Sequence, residues 1–427
     1  CFYSRDSFEM KYPVRFVQEA TIFENCRDWG SEDRVVIFTT KDAHEKNWCD
    51  DGHIDPKTQA RLQRKGLHSR LADLGLAVPF SREPIPDGHQ EEEIWEIFDK
   101  ISGCLDDGDE VVFDITHAFR SIPLLAIVVL NYVKVLKRVK LRGIYYGAFE
   151  ALGPIPVVKA MPVEERRVRI LDLTSLDRLM DWTAATDRFL ASGDASLAGE
   201  LARRGVMGLL RESRGTDAAA RAIREMGDAM EAFSTMLFNC RGAETESVAC
   251  RLKAKLQAAE KLDLPRPFIP LFRKLDQRLS AFGGGTLRDG LAAVRWCLEH
   301  ELIQQGYTLL EEFIFGAVVE QAGGDLLNQT HREVASQAFT IVSRKWVEEP
   351  SKWARDAQEH PELAREMIDF IQSRGGLAKV VEKLRVRRND LNHGGFTDGY
   401  LTVAGSAKFA SELKSYLDQT ETLLLSE

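Results

Sequence analysis

The pattern of hydrophobic and polar positions divides the chain into two parts that meet near Thr174. Before this residue, short apolar runs alternate with amphipathic stretches, which is typical of strands alternating with helices. After it, the only clear period is that of an amphipathic helix. The pattern therefore predicts an α/β fold for the first part and an all-α fold for the second.

The apolar runs of the first part are short, rich in β-branched residues and bounded by polar residues, which indicates strands. The predicted strands are 34–40, 108–116, 141–146, 156–161 and 167–173, and the predicted helices are 15–26, 58–73, 91–102 and 120–137. Alternation of this kind favours parallel strands with crossover helices on both faces of the sheet. We therefore expect an open Rossmann-like sheet that finishes in a hairpin-like pair.

The second part begins with a capping-box-like sequence, Thr174-Ser-Leu-Asp177. Its predicted helices are 174–191, 195–213, 216–240 and 244–262, a continuous long helix over 287–322, and two or three more towards the end. Gly283-Gly-Gly285 predicts a flexible joint. We accordingly predict an α/β domain over 1–174, a helical linker or insertion over 175–285 and a helical domain over 286–427.

Composition and charge narrow the possible functions. The 427 residues contain 57 Lys and Arg against 66 Asp and Glu, giving a formal net charge of −9. A protein that coats nucleic acid non-specifically needs an excess of basic residues to neutralise phosphates, so the acidic balance argues against that class. It does not exclude a local basic site.

Cysteine and histidine usage gives no sign of a disulfide framework or a metal centre. The seven cysteines are scattered without a Cys-x-x-Cys pair, and the nine histidines are equally dispersed. The longest apolar run, Ile122–Leu130, is shorter than the roughly 20 residues of a membrane-spanning helix. The first residues do not resemble a secretion leader. We predict a cytoplasmic protein that holds no metal and does not enter a membrane.

Polar side chains cluster where two predicted strands end. Asp114-Ile-Thr-His-Ala-Phe-Arg120 follows one strand and leads into a helix, and Thr39-Thr-Lys41 follows another. Ligands of open α/β sheets bind beyond the carboxyl ends of strands, and helix N-termini favour anions. Hydroxyl, imidazole and guanidinium groups suit a phosphate. The alternative is that Asp114 and Thr116 only cap the helix while His117 and Arg120 are surface residues, and the sequence supports both interpretations about equally.

Neither strand end contains a Gly-x-Gly-x-x-Gly or Walker sequence. Asp-x-Thr-His-x-Phe-Arg after a strand instead resembles the signature of the CARF domain of type III CRISPR systems, and Arg15-Phe-Val-Gln-Glu19 and Tyr145-Tyr-Gly-Ala-Phe149 are similar to other CARF segments. The resemblance covers roughly 1–174. It implies a dimer that binds a cyclic oligoadenylate across its two-fold axis, with Thr116, His117 and Arg120 in contact with the ligand.

The full set predicted to bind this ligand is Thr39, Thr40, Lys41, Asp114, Thr116, His117, Phe119 and Arg120. We expect cyclic tetra-adenylate as the allosteric activator and no other cofactor. The chain departs from CARF proteins in two ways. It starts just after the family's first strand and glycine-containing loop, and Ala118 stands where the family commonly has Gly, which restricts φ and adds a methyl group.

The most informative stretch is Lys383-Leu-Arg-Val-Arg-Arg-Asn-Asp-Leu-Asn-His-Gly-Gly395. On a helix, Asn389 and His393 are four residues apart and share a face, with Arg388 beside them. Gly394 and Gly395 would end the helix, which places the imidazole at a C-terminus whose dipole favours protonation. RNA cleavage without metal needs an acid–base group and a cation for the developing phosphorane charge. His393 suits the first role, Arg388 the second, and Asn389 can orient either His393 or the phosphate.

Arg-Asn-x-x-x-His in an all-helical domain resembles the HEPN ribonucleases, and Leu302–Glu311 looks like part of their long first helix. The resemblance implies a homodimer, or a higher oligomer, in which the motifs of two subunits form one composite site. It also implies metal-independent cleavage of single-stranded RNA to a 2′,3′-cyclic phosphate and a 5′-hydroxyl. We predict Arg388, Asn389 and His393 as catalytic residues, with RNA and not DNA as the nucleic-acid partner.

Several alternatives stay open. The protein could be a CARF sensor without ribonuclease activity that relays its ligand state, or one that degrades its ligand with Thr116 and His117. It could also be a HEPN toxin neutralised by a partner protein. Lys383, Arg385 and Arg387 either attract RNA or form a solvated helix face. His300, between two glutamates, is better explained as a polar position on a long helix than as an acid–base residue.

Overall fold

The computed structural model describes residues 1–6, 8–116, 121–263, 266–396, 398–402 and 405–425, with only the backbone described at 121–123. The chain forms two compact units, Cys1–Arg178 and Leu179–Glu427. The first is mixed α/β and the second is helical in its described residues, as the hydrophobic pattern predicts. Each unit has its own hydrophobic core.

The first unit contains seven described strands and six complete helices. The strands are β1 (Phe2–Arg5), β2 (Phe8–Glu9), β3 (Val35–Thr39), β4 (Phe80–Pro84), β5 (Glu110–Asp114), β6 (Lys140–Gly147) and β7 (Arg167–Asp172). The helices are α1 (Val17–Cys26), α2 (Lys41–Ala43), α3 (Leu67–Ala72), α4 (Glu91–Gly103), α5 (Ser121–Lys137) and α6 (Ile155–Ala160).

These strands form two hydrogen-bonded sheets. One has the order β2-β1-β7-β6-β5 and the other pairs β3 with β4. The pairs β1–β7, β3–β4 and β5–β6 are parallel, as predicted for crossover connections. The pair β6–β7 is antiparallel, but α6 lies between the two strands, so they do not form the predicted hairpin-like finish.

β3 and β5 belong to different sheets, but contacts join the residues before them and the helices that cover them. Arg34, directly before β3, donates to Asp106 at 2.7 Å and to Asp109, directly before β5, at 3.3 Å. Phe38 of β3 and Phe113 of β5 pack against the same cluster of α4 and α5 side chains. The two strands therefore begin close together and share a packing layer.

Two elements of the first unit differ from the predictions. Residues 155–160 form α6 and not a strand, because Pro156 occupies the first turn of a helix, where its missing N–H costs nothing. The predicted helix over 58–73 is reduced to α3, after Gly66. A Cβ at Gly66 would lie 2.3 Å from the carbonyl oxygen of Trp48, so this close approach of two backbone segments fixes where the helix begins.

Three short strands were not predicted. β1, β2 and β4 have five residues or fewer and mix apolar with charged side chains. β1 pairs with β7, β2 with β1 and β4 with β3, and this pairing, not their own pattern, makes them strands.

The second unit consists of helices packed on one continuous core. They are α7 (Thr174–Ser192), which begins in the first unit, α8 (Ser196–Glu212), α9 (Ala218–Phe238), α10 (Thr245–Ala259), α11 (Phe268–Arg278), α12 (Thr286–Glu299), α13 (Ile303–Gln321), α14 (Gln329–Arg344), α15 (Arg355–Glu359), α16 (Pro361–Ser373), α17 (Leu377–Asn392) and α18 (Ala407–Leu425). The core includes buried residues from both sides of Gly285. The domain boundaries proposed at 174 and 285 stay predictions.

The prediction of one continuous helix over 287–322 is wrong, because this stretch forms two helices, α12 and α13. Glu301, between them, has a left-handed φ of 59°. The break turns the chain sharply enough for α12 and α13 to pack against each other. In the described residues after α13 there are five helices, α14 to α18, where two or three were expected.

Among the helices of the described ranges, none is both long enough and apolar enough to cross a membrane.

Candidate functional site

The end of β3 holds two threonine hydroxyls in protein contacts. Thr39, the last residue of the strand, is buried, and its Oγ1 accepts from Arg82 Nη1 of β4 at 3.2 Å. Thr40 caps the short α2, because its Oγ1 accepts from the backbone N–H of Ala43 at 3.3 Å. Lys41 is exposed. Of the three predicted ligand-binding residues here, Lys41 is the one whose side chain extends into solvent.

The end of β5 is organised by a carboxylate and a hydroxyl. Asp114 Oδ2 accepts from Thr21 Oγ1 of α1 at 2.6 Å, and its Oδ1 accepts from the backbone N–H of Thr116 at 2.8 Å. Thr116 Oγ1 accepts from the backbone N–H of Gly147, at the end of β6, at 2.8 Å. These contacts fix the turn after β5 against α1 and β6, so both residues have a structural role whether or not a ligand binds.

The remaining predicted ligand contacts, His117, Phe119 and Arg120, lie outside the described residues, as does Ala118. Their proposed role stays a prediction.

The second candidate site is the C-terminal end of α17. Arg388 and Asn389 lie in its last turn, and His393 is the residue that caps it. The His393 N–H donates to the Asn389 carbonyl at 2.9 Å, which is the helical bond expected for two residues on one face. Asn389 and His393 are both exposed. Among described residues, the imidazole has no hydrogen-bond partner, so it is free to meet a substrate.

Two glycines end α17 as predicted. Gly394 and Gly395 both have left-handed φ values, of 61° and 80°, a conformation that glycine adopts without a Cβ penalty. The Gly395 N–H donates to the Asp390 carbonyl at 3.0 Å. The chain therefore turns away directly after His393 and leaves the imidazole at the helix terminus.

The guanidinium of Arg388 is held by a buried carboxylate. Glu311 of α13 is 1% exposed, and it accepts from Arg388 Nη1 through one oxygen and from Arg385 Nε, at 2.9 Å, through the other. Arg388 Nη2 donates to Asn389 Oδ1 at 3.3 Å. About 28% of the Arg388 side chain remains exposed. The contacts orient the guanidinium while leaving donors that can face an anion.

A second buried carboxylate anchors the segment after the helix. Asp390 is 5% exposed, and its Oδ2 accepts from the backbone N–H of Leu401 at 2.9 Å. The contact draws residues 398–402 back towards α17. Phe396 and Tyr400, on either side of an undescribed position, are 94% and 55% exposed.

The basic residues before the motif are not the uniform solvated face that one interpretation expects. Arg385 bonds Glu311, donates to Ser336 Oγ of α14 at 2.8 Å and lies over the Phe315 ring at 5.1 Å. Arg387 pairs with Glu412 of α18 at 2.6 Å. Both arginines therefore connect α17 to neighbouring helices, and Lys383 alone of the three is exposed.

His300 is also not a polar position on a continuous helix. It lies at the break after α12, 7% exposed, and its ring is tilted against that of Trp296, with 4.5 Å between the centroids. Nδ1 is 3.2 Å from the Ala191 carbonyl oxygen, and Nε2 is 3.3 Å from Arg278 Nη2. Burial lowers the pKa of this imidazole, and Arg278 lowers it further. The contacts indicate a structural histidine.

Sequence reasoning missed Glu311 and Asp390 as parts of the site. Glu311 ends the quoted stretch Leu302–Glu311, and a glutamate close to apolar residues such as Leu310 and Phe313 could have indicated a buried partner for a motif arginine. Asp390 lies inside the motif itself. Within the described ranges, no three His, Cys, Asp or Glu side chains are arranged to hold a metal ion.

The fold and these two sites define a class of protein: an α/β unit with polar strand ends, followed by a helical unit with an Arg-Asn-x-x-x-His helix terminus. The chain is 28% identical over 242 residues to a protein of Methanocaldococcus jannaschii described as "CRISPR-associated protein MJ1674". The similarity covers 55% of this chain and 33% of that protein, so the chain spans about a third of the relative's length. No protein-family model matches the chain.

Proposed function

We propose that the chain acts in type III CRISPR defence as a single-stranded-RNA endoribonuclease that a cyclic oligoadenylate activates. The similarity to a CRISPR-associated protein supports the defence role. The observation that carries the nuclease proposal is the α17 terminus, where Arg388, Asn389 and the exposed His393 occupy the last turn and its cap.

The chemistry follows from the three side chains. The free imidazole of His393 exchanges a proton with the ribose 2′-hydroxyl or with the leaving 5′-oxygen. Arg388, held by Glu311, places positive charge beside the phosphorane as its charge develops. Asn389 accepts from Arg388, and its amide N–H groups remain available to the phosphate. Attack by the 2′-oxygen and loss of the 5′-oxygen leave a 2′,3′-cyclic phosphate and a 5′-hydroxyl, so the reaction needs no metal.

A second copy of the chain would complete this site. Three exposed apolar side chains, Val386, Phe396 and Tyr400, lie on α17 or directly after it, and they are 58%, 94% and 55% exposed. Apolar groups beside a polar site are typical of an interface that becomes buried on association. In a homodimer with two-fold symmetry, the same end of α17 from each subunit would meet the other.

The α/β unit would regulate RNA cleavage by binding the activating ligand. Lys41 follows β3 and Thr116 follows β5, and a phosphate-rich ligand is expected beyond the carboxyl ends of such strands. Activation requires that the ligand bind the active arrangement more tightly than the resting one, since equal affinity shifts no population. A symmetric ring clamped by two subunits provides that difference.

The decisive experiment is an RNA-cleavage assay in EDTA, with and without cyclic tri-, tetra- or hexa-adenylate. We expect one ring, cyclic tetra-adenylate, to switch on cleavage and the chelator to leave it unchanged. His393→Ala should abolish cleavage while ligand binding survives. His360→Ala, which removes an exposed imidazole of the same unit, is the matched control and should cleave normally.

Three results would each refute a separate part of the proposal. Unchanged cleavage by His393→Ala would remove the catalytic assignment. Full activity without any cyclic nucleotide would remove the sensor assignment, and normal activation of Arg120→Ala would exclude that residue from the ligand site. Conversion of cyclic tetra-adenylate to linear fragments would instead support a ligand-degrading α/β unit.

A further inference from the structure

We propose that Gln304 and Asn392 recognise the base next to the scissile phosphate and so select where the chain cuts RNA. The inference rests on the proposed ribonuclease function and adds the residues that choose its substrate. Gln304 lies in the first turn of α13, and Asn392 is the last residue of α17. Gln304 Nε2 donates to Asn392 Oδ1 at 3.1 Å. The bond therefore joins the start of α13 to the helix end that carries the candidate catalytic residues.

The position of Asn392 on α17 brings this amide pair close to the reacting groups. Asn392 directly precedes His393, and it lies four residues after Arg388, so it shares a helix face with that arginine. Arg388 is the residue proposed to hold the phosphate. In a nucleotide only the ribose separates the phosphate from the base. A side chain one helical turn from the phosphate-binding guanidinium is therefore well placed to contact the base.

The bond between the two amides leaves part of their hydrogen-bonding capacity unused. Each side-chain amide has an acceptor oxygen and two N–H donors. Among described residues, Gln304 Oε1 and Asn392 Nδ2 have no hydrogen-bond partner, and both side chains are exposed. Phosphate oxygens only accept, whereas the edges of unpaired bases carry donors beside acceptors. A pair that offers one free acceptor and a free donor group thus suits a base better than a phosphate.

Other contacts already hold these two helices together. The buried Glu311 of α13 bonds Arg385 and Arg388 of α17, and apolar side chains of both helices belong to one core. A hydrogen bond between two exposed amides adds little to stability, because water offers equivalent partners. The Gln304–Asn392 bond is therefore not needed to join α13 to α17.

Gln337 of α14 shows how a glutamine with a structural role differs from Gln304. Its Nε2 donates to Asp356 Oδ2 at 2.6 Å, and its Oε1 accepts from the backbone N–H of Ala357 at 2.8 Å. Both ends of that amide are bonded to α15, and the contacts are partly buried. Gln304 uses only its nitrogen and keeps its oxygen at the surface, as a residue that binds a substrate requires.

Cleavage of a single-stranded RNA that contains all sixteen dinucleotide steps, with the cut sites mapped by sequencing, tests the proposal. The quantity compared is the ratio of the cleavage rate at the favoured step to the rate at the other steps. We expect the parent chain to favour one base beside the cut. Gln304→Leu should lower this ratio at least about 5-fold, because it removes a contact to the base edge. A purely structural role would instead lower all rates equally.

Asn392→Asp separates recognition from the contact between the helices. The aspartate keeps an acceptor for Gln304 Nε2 but replaces the free amide donor by a second acceptor oxygen. Guanine presents two adjacent donors on its Watson–Crick edge. The variant should therefore raise the fraction of cuts beside guanine, even if the added negative charge slows cleavage at every step.

Gln321→Leu is the matched control, because Gln321 is an exposed glutamine at the opposite end of α13. It should keep the parent ratios, and circular dichroism checks that each variant is folded. Equal cleavage at all steps by the parent chain, or parent ratios in both Gln304→Leu and Asn392→Asp, would overturn the inference and leave the ribonuclease proposal intact. A parent chain that cleaves no RNA would refute the proposed function, and the inference with it.

Discussion

Glu311 on α13 bonds Arg388 on α17 through one carboxylate oxygen while its other oxygen bonds Arg385. The carboxylate is almost fully buried, whereas the two arginine side chains are about one quarter exposed. The buried Glu311 carboxylate thus fixes the Arg388 guanidinium on its protein side, while part of the Arg388 side chain stays exposed to solvent. The contact joins the helix that carries the candidate catalytic residues to the core of the unit.

Glu311→Gln should lower both stability and RNA cleavage. The amide keeps the shape but loses the charge, and removing one partner of a buried ion pair costs roughly 3 kcal/mol. We expect the free energy of unfolding in urea to fall by about that amount, and cleavage to fall because Arg388 is no longer fixed. Glu320→Gln, at an exposed position of the same helix, should change neither. Unaltered cleavage by a folded Glu311→Gln protein would contradict a positioning role.

The sequence predicted those parts of the fold that have a strong local pattern. β3, β5, β6 and β7 lie within two residues of their predicted ends, and so do α8 and α9. β1 and β4 were missed because their strand geometry comes from pairing with distant segments. α6 was mistaken for a strand because Ile155-Pro-Val-Val158 is apolar and β-branched, although its proline fits a helical first turn.

In the candidate site too, features set by neighbouring residues could be predicted, whereas contacts with distant residues could not. The end of α17 at Gly394 could be predicted, since it rests on the chemistry of adjacent residues. The partners of the motif could not be predicted, because Glu311 lies 77 residues before Arg388 and Glu412 lies 25 residues after Arg387. No local pattern states which buried acid meets which arginine.

Asp390 should control the segment that follows the motif. Asp390→Ala leaves the backbone N–H of Leu401 without its acceptor, whereas Asp390→Asn can still accept through Oδ1. We expect Ala to lower the free energy of unfolding by about 1–2 kcal/mol and to speed hydrogen exchange at Leu401, with Asn closer to the parent chain. Exchange at Leu401 that is the same in the Ala variant would show that the contact does not hold the segment.

The Thr116 hydroxyl should stabilise the turn after β5. Thr116→Val keeps the shape but leaves the Gly147 N–H unpaired, at a cost of about 1–3 kcal/mol. Thr116→Ser retains the acceptor and should cost less. The free energy of unfolding of the α/β unit measures the difference. If Val weakens cyclic oligoadenylate binding and Ser does not, the same hydroxyl also positions the ligand site. Equal stability of the two variants would show that the contact contributes little.

His300 should make the helical unit less stable in mild acid. Burial lowers the pKa of its imidazole in the folded protein, with Arg278 adding to the effect. In the unfolded chain the imidazole titrates near its ordinary value of about 6.5. Below that pH the unfolded state binds the proton more readily than the folded state, so the free energy of unfolding falls as the pH drops. His300→Gln removes the titrating group, so the free energy of unfolding should change less with pH between neutrality and pH 5. The substitution should also lower stability at neutral pH. His360→Ala, at an exposed imidazole, is the control and should show the same pH dependence of the free energy of unfolding as the parent chain. If His300→Gln also kept that pH dependence, another group would cause the acid sensitivity.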